Sequence, residues 1–515
     1  MAPADEGVPV GQGALITKFG LRRPMPAVLS RVALGARRSV TEDGRTIERY
    51  PTGYMPEETL IGHLRFALRY EPTDLGVLAD VFRIPDAAGE IETWVRSEPT
   101  GAYARRAWFF YEWLTGKRLE LPDAGAVAYV DALDTSLHVT AKGSPSRRHK
   151  VVDNIPGRPG FALMVRRTPR LEGFRAEDLA GEARRIVEGC DPDILARAVN
   201  YLYTKETKSS FAIEHERATG QRAERFVTAL RAVKSFAPTD AKSLITLQNI
   251  IVDHRYAATA FRDFQNFVGE TIGGYREVVH FICPRPEDVE SLMADWAAMT
   301  ERLKGTTDPI VAAALIAFSF VFIHPFEDGN GRIHRFLIHH VLATEDFTPP
   351  GLLFPVSAAI VREVGEYDTA LEGFSRTIMP FIDWHWTSDK EIVVENDTHN
   401  LYRYFDATTL TEYLYSKVAA TIRKDLREEL EFVALYDAAL SAVQDIVDMP
   451  DRRASLLVRL CLQNGGRLSQ AKREAFNEIE DQELLRMEQA IQAVMAEKDG
   501  SAAANVDGRR QPPTF

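Results

Sequence analysis

Residues 308–323, DPIVAAALIAFSFVFI, limit the fold more than any other part of the chain. Asp308 can cap a helix with its side chain, and Pro309 suits the first helical position, so a helix starts here. From 310 to 323 the one polar side chain is Ser319. A helix that is apolar on every face must be enclosed on every side by other elements. It is shorter than the ~20 residues of a membrane span, so the spacing predicts a buried central helix.

Most of the cover should itself be helical. Apolar residues recur at three- and four-residue spacing from 57 to 119 and again from 191 to 231. Residues 261–284, FRDFQNFVGETIGGYREVVHFICP, differ: a Gly-Gly pair and a second limb rich in β-branched and aromatic residues predict a hairpin. The loop between its limbs is read as 270–279. The expected class is mostly α, with little sheet. At 515 residues the chain needs more than one core, and two to four domains are expected. Residues 1–54, rich in Gly, Pro and Arg, read as a partly extended lead-in, and 55–170 as a helical N-terminal region closed by the Pro- and Gly-bearing stretch 153–169. Residues 385–499 read as a helical C-terminal region and 500–515 as a disordered tail.

The formal net charge of −12 argues against a protein that coats nucleic acid, because phosphate binding needs a basic face. The three cysteines, Cys190, Cys283 and Cys461, form no CxxC pair, which excludes a cysteine zinc site and suits a reducing compartment. The first residues are acidic, with no apolar run. A cytoplasmic protein with no membrane association is expected.

Directly after the apolar helix comes HPFEDGNGRIHR, residues 324–335. In the helix that follows, Ile333, Phe336, Leu337 and Val341 form one apolar stripe, while Arg332, Arg335 and His339 share another face. Gly329, Asn330 and Gly331 bring bare amides to the helix start, a ready anion site. Two guanidiniums beside it match phosphate oxygens with a planar donor fork. A polyphosphate calls for Mg²⁺, and Asp328 is placed to supply its carboxylate; Glu327 is the lesser candidate. His324 ends the buried helix, where a neutral imidazole can take a proton from a hydroxyl. His334, His339 and His340 point around the helix, and no zinc is expected there.

This stretch resembles, at every defined position, the signature HPFx[D/E]GNGRxxR of the Fic (filamentation induced by cAMP) family. The resemblance extends over about residues 201–374 and implies a Fic-type helical core at 190–380 with a small β-hairpin flap, flanked by helical regions. It implies AMP transfer from ATP to a hydroxyl of a target protein. By matching position, His324 is the general base, Asp328 holds Mg²⁺, Gly329, Asn330 and Gly331 form the anion hole, Arg332 contacts the phosphates and Arg335 holds the γ-phosphate.

Two further segments carry the resemblance. SSFAIEHE, residues 209–216, resembles the family's inhibitory motif [S/T]xxxE[G/N], with Ser210 and Glu214 four apart on one helix face. Carried over, Glu214 pairs with Arg335 and takes the γ-phosphate position. His215 departs from the pattern, which has Gly or Asn there. Residues 261–284 resemble the flap, FRxxQNxxG, which implies a target segment bearing a Ser, Thr or Tyr hydroxyl added as a strand. Tyr367, in the helix after the core, is the candidate for contact with adenine. Within 385–499 a winged helix is an option, since Fic proteins often end in one. Removal of AMP, or other nucleotide or phosphoryl transfer, fits the same residues. A DNA-binding regulator with a vestigial core is the alternative of another class, although a nucleic-acid partner is not expected. A homo-oligomer is compatible with these features.

Overall fold

The computed structural model describes residues 7–42, 45–218, 220–272 and 276–507. Two compact units emerge, one of Met1–Ala180 with Thr204–Ala420, the other of Gly181–Tyr203 with Thr421–Phe515. Helices dominate both, as the patterning predicts.

In the first unit the apolar helix runs over Pro309–Ile323, and every residue from 310 to 323 is buried. Asp308 caps it, accepting hydrogen bonds from the backbone N–H of Ile310 (3.0 Å) and Val311 (3.2 Å). Ser319 hands its hydroxyl proton to the carbonyl of Leu315 one turn back, so its burial leaves no donor idle. The Pro286–Leu303 helix covers one side, with Trp296 Nε1 donating to the Ile316 carbonyl at 3.0 Å. Asn330–Thr344 and Thr408–Ala420 cover others.

The N-terminal part departs from expectation. The described part of the lead-in, 7–42 and 45–54, is more ordered than its composition suggests. Strands Val8–Val10, Val28–Val32, Arg45–Tyr50 and Arg38–Glu42 form a four-stranded sheet in that spatial order. Val10, Val32 and Tyr50 pack with Phe66 into a small core that short β-branched runs, broken by Gly and Pro, conceal from a periodicity reading. Residues 55–170 contribute four helices around Leu64, Leu78, Ile91, Trp108 and Phe110. The stretch 153–169, expected as a boundary, is a seam. The Met164 N–H donates to Phe405 O and Ala407 N–H to Met164 O, while Arg166 pairs with Asp406 at 2.5 Å. Its prolines and glycines make a close hairpin: a Cβ on Gly160 would stand 2.2 Å from Asp295 Oδ1.

The second unit is helical throughout its described residues. Its core of Val443, Leu457, Cys461, Phe476, Met487 and Ile491 joins the helices Arg427–Gln444, Asp451–Leu462 and Asp481–Asp507. Gly465 and Gly466 take positive φ in the turn after the second of these. A winged helix needs strands for its wing, and none lies among the described residues of this unit. The hairpin Trp384–Trp386 with Ile392–Val394 belongs to the first unit. The expected disordered tail begins inside the last helix, which reaches Asp507; 508–515 lie outside the described residues. No helix among the described residues is long and apolar enough to cross a membrane.

Loss of the Asp308 cap should be felt across the core. Asp308→Ala is expected to lower unfolding stability by about 1 kcal/mol. A thermal unfolding scan against the parent chain checks it.

Candidate active site

The buried helix ends at His324, which adopts φ 52 and ψ 58. This left-handed turn breaks the helix and swings the imidazole back toward it, where Nδ1 lies 3.1 Å from the Val321 carbonyl. A carbonyl can only accept, so Nδ1 carries the proton and Nε2 keeps its lone pair. Burial above all, together with the Arg262 charge, brings the His324 pKa down to about 4 against the opposing Val321 hydrogen bond and the carboxylates of Glu214 and Asp328. The ring is a neutral base throughout the physiological range.

The loop after His324 is tied from within. Asn330 Oδ1 accepts from the Phe326 N–H at 3.1 Å, and its Nδ2 donates to the Phe326 carbonyl at 2.8 Å. That reciprocal clasp shapes the turn and leaves the Asn330 backbone amide at the helix start. Gly329 precedes it with φ 91, a conformation that other residues reach only under strain. No side chain caps the Asn330–Thr344 helix, so its first amides remain available to an anion.

Both arginines of this helix are buried, each 1% exposed, and both are met by carboxylates. Arg335 donates through Nε to Ser210 Oγ (2.9 Å) and through Nη2 to Ser210 O and Glu214 Oε1 (2.8 Å each). Arg332 donates to Asp328 Oδ1 at 2.9 Å and Glu216 Oε2 at 3.2 Å, with its guanidinium 5.1 Å from the centre of the Phe211 ring. Burial would raise the Glu214 pKa, but the charge and hydrogen bond of Arg335, helped by Arg332, outweigh it and hold the carboxyl low. Burial likewise works against the Arg335 cation, and the Glu214 charge leaves its pKa raised. Gly331 owes its lack of a side chain to this pair: a Cβ there would stand 2.2 Å from Glu214 Oε1.

The residues singled out in the sequence therefore gather. His324, Asp328, Gly329, Asn330, Gly331 and Arg332 share the loop and helix start, and Ser210 with Glu214 faces Arg335. Glu327 is exposed. Asp328, 42% exposed beside the free amides, fits a hard cation that takes one protein carboxylate and phosphate oxygens. Tyr367 is buried, its ring 6.1 Å from those of both His334 and Tyr413. Burial raises its hydroxyl pKa to about 12, against the Arg335 charge that lowers it. The three histidines of the helix diverge: His334 lies against Phe318, His339 faces Glu206, and His340 meets the Val233 carbonyl.

Several contributors escaped the sequence reading. Arg262, 5% exposed, donates to the carbonyls of His324, Phe264, Pro284 and Ile323, so it clamps the hairpin base to the histidine turn. Glu216 bridges Arg332 and Arg222. Gln248 donates to the Asp328 carbonyl at 3.2 Å. A lone basic residue inside FRDFQN and a second glutamate two places after Glu214 were the available signals. His215 sits at φ 56, which explains why Gly or Asn suits that position. The hairpin itself pairs Phe267–Ile272 with Arg276–Ile282. Most of 270–279, expected as a loop, is therefore strand, its β-branched residues favouring the ladder, and 273–275 lie outside the described residues.

A helical core with a histidine turn, an amide-lined helix start and buried arginines defines the class, and comparison with known proteins identifies it. The Fic/DOC family model matches residues 238–342. A Fido domain-containing protein of Dictyostelium discoideum is 33% identical over 137 residues, 25% of this chain and 89% of its own. The chain belongs to the Fic/DOC family. It is also 33% identical over 132 residues to the protein adenylyltransferase Fic of Nematostella vectensis, covering 24% of this chain but 28% of that relative's length. A Fic family protein from Desulfovibrio desulfuricans aligns over 58% of this chain and 88% of its own, at 20% identity and a TM-score of 0.35.

Arg262→Ala leaves several buried carbonyls without a donor. It is expected to destabilise the chain by about 2–4 kcal/mol and to raise amide exchange over residues 265–284. Hydrogen exchange with mass spectrometry reads the second effect directly.

Proposed function

We propose that the chain is a protein adenylyltransferase, transferring AMP from ATP to a hydroxyl of a target protein, and that Glu214 holds it in check. The observation that carries this reading is the convergence of a neutral imidazole, an exposed carboxylate, free helix-start amides and two buried guanidiniums at one end of one helix. His324 Nε2 takes the proton of the incoming hydroxyl as its oxygen attacks the α-phosphorus. Pyrophosphate leaves, and its charge falls on Arg332, Arg335 and the amides at Asn330 and Gly331. Asp328 would hold Mg²⁺, which supplies charge neutralisation on the phosphates. Protein relatives named adenylyltransferases support the reaction class, and the hairpin beside His324 suits a target segment laid along it.

Glu214 occupies a guanidinium that a triphosphate needs. Removing its carboxylate, by Glu214→Gly, should raise auto-modification from α-labelled ATP by at least about tenfold, since breaking a buried pair frees several kcal/mol of competing interaction. No gain would remove the inhibitory reading. Label entering protein from γ-labelled ATP, instead of from the α-position, would replace AMP transfer by phosphorylation. In the same variant, His324→Ala should abolish transfer while nucleotide binding persists.

The pH profile is a separate test. With a pKa near 4, His324 stays deprotonated as pH falls through 6.5. Glu214 raises that pKa, so its loss moves the acid limb no higher. Transfer by Glu214→Gly should therefore hold level from pH 8 to about 5.5 and fall only on approach to 4. A limb centred at 6.5 would mean a solvated imidazole instead of the buried one.

A further inference from the structure

One buried polar cluster takes no part in the chemistry above. Glu206, on the helix Pro192–Ile213, is 1% exposed. Its Oε2 accepts the Ser357 N–H at 2.9 Å, its Oε1 accepts the Ser357 hydroxyl, and His339 Nε2 lies 2.8 Å from Oε1. Ser357 and His339 are themselves buried. An enclosed carboxylate is costly unless its lone pairs are met, and an apolar side chain could fill the same space without that cost. What the carboxylate adds is a fixed position.

The spacing shows what it fixes. Glu206, Ser210 and Glu214 follow one another at four-residue steps, the first two on one face of their helix and Glu214 just past its end. Opposite them, Gly331, Arg335 and His339 also step by four along the helix Asn330–Thr344. Three rungs result: Glu214 against Gly331 and Arg335, Ser210 on Arg335, and Glu206 beside His339, the last a close approach without hydrogen-bond geometry. The third rung reaches another helix, Val356–Arg362, through Ser357. Glu214, at the end of its helix, is 35% exposed, so this end is the one that opens first.

We infer that Glu206, with His339 and Ser357, is the anchor that positions the inhibitory segment: a positioning residue that sets how long Glu214 stays on Arg335. The inference rests on the inhibitory reading of Glu214. Loosening the anchor lifts the whole face, and the γ-phosphate position is vacated although Glu214 and Arg335 are both intact.

Three full-length variants test it, Glu206→Gln, Ser357→Ala and Glu214→Gly, each followed by auto-modification from α-labelled ATP and by amide exchange. Glu206→Gln should raise exchange over 204–214 and 356–362 and raise auto-modification about threefold or more. Ser357→Ala, which removes one hydroxyl and leaves the backbone donor, should do both to a smaller degree, and it decides the matter if Glu206→Gln does not fold. Glu214→Gly should raise auto-modification while 204–210 stays protected. A merely structural role for Glu206 would loosen the segment without a gain in rate. Raised exchange with an unchanged rate, where Glu214→Gly does activate, overturns the anchor, and so does unchanged exchange. If Glu214→Gly itself fails to activate, the inhibitory reading falls and the anchor falls with it, an outcome distinct from the failure of the anchor alone beside an activating Glu214→Gly.

Discussion

Two guanidiniums buried on one helix are the constraint around which this site is organised. Arg332 and Arg335 are buried on the helix that packs along the enclosed apolar one, and a buried cation without an anion costs several kcal/mol. The chain must therefore bring carboxylates to them, and it does so from two directions. Asp328 comes from the adjoining loop, and Glu214 and Glu216 from the segment after Pro192–Ile213. Donors remain unspent all the same: Arg332 Nε and Arg335 Nη1 have no hydrogen-bond partner among the described residues. A site that keeps its cations paired yet holds donors in reserve is suited to exchanging one anion for another.

The histidine obeys a second constraint, imposed by the same apolar helix. A helix enclosed on all sides has to end abruptly, and His324 ends it in the left-handed region at an expense of order 1 kcal/mol. Arg262 stabilises that turn through the His324 carbonyl and, through Phe264 and Pro284, the base of the hairpin. The ring orientation, its tautomer and the hairpin's placement thus depend on one strained residue and one clamp.

Legibility in the sequence followed the type of interaction. The apolar helix and the amide-rich start of the next one were readable because each rests on local pattern: hydrophobic coverage, a cap, glycines. The Ser210–Glu214–Arg335 contact was readable only through family resemblance, since its partners are 125 and 121 residues apart. Arg262 and Gln248 act through backbone carbonyls, which carry no sequence identity, so even the basic residue inside FRDFQN pointed to no partner. The N-terminal sheet was missed for a related reason. Val28–Val32 pairs in parallel with Arg45–Tyr50 across a long connection, and its strands are too short to show alternation. The seam between Met164 and Phe405 read as a boundary because proline and glycine mark both linkers and tight hairpins.

Gly331 shows how closely the paired and ligand-binding states are bound to each other. The glycine is usually explained by the approach of a phosphate to bare amides. Here it is required by the carboxylate as well, since any Cβ would strike Glu214 Oε1. On the proposed reading, an incoming phosphate and the resident carboxylate would need the same empty space and the same guanidinium, so occupancy by one would exclude the other without any larger rearrangement. Because Arg335 stays paired throughout such an exchange, its burial contributes little to the difference between the two states. What differs is the end of the helix, where His215 is held at φ 56 and Glu214 is a third exposed. On the proposed reading, the balance between the states would be set by how firmly that end is held, a property of packing two turns away from Glu214.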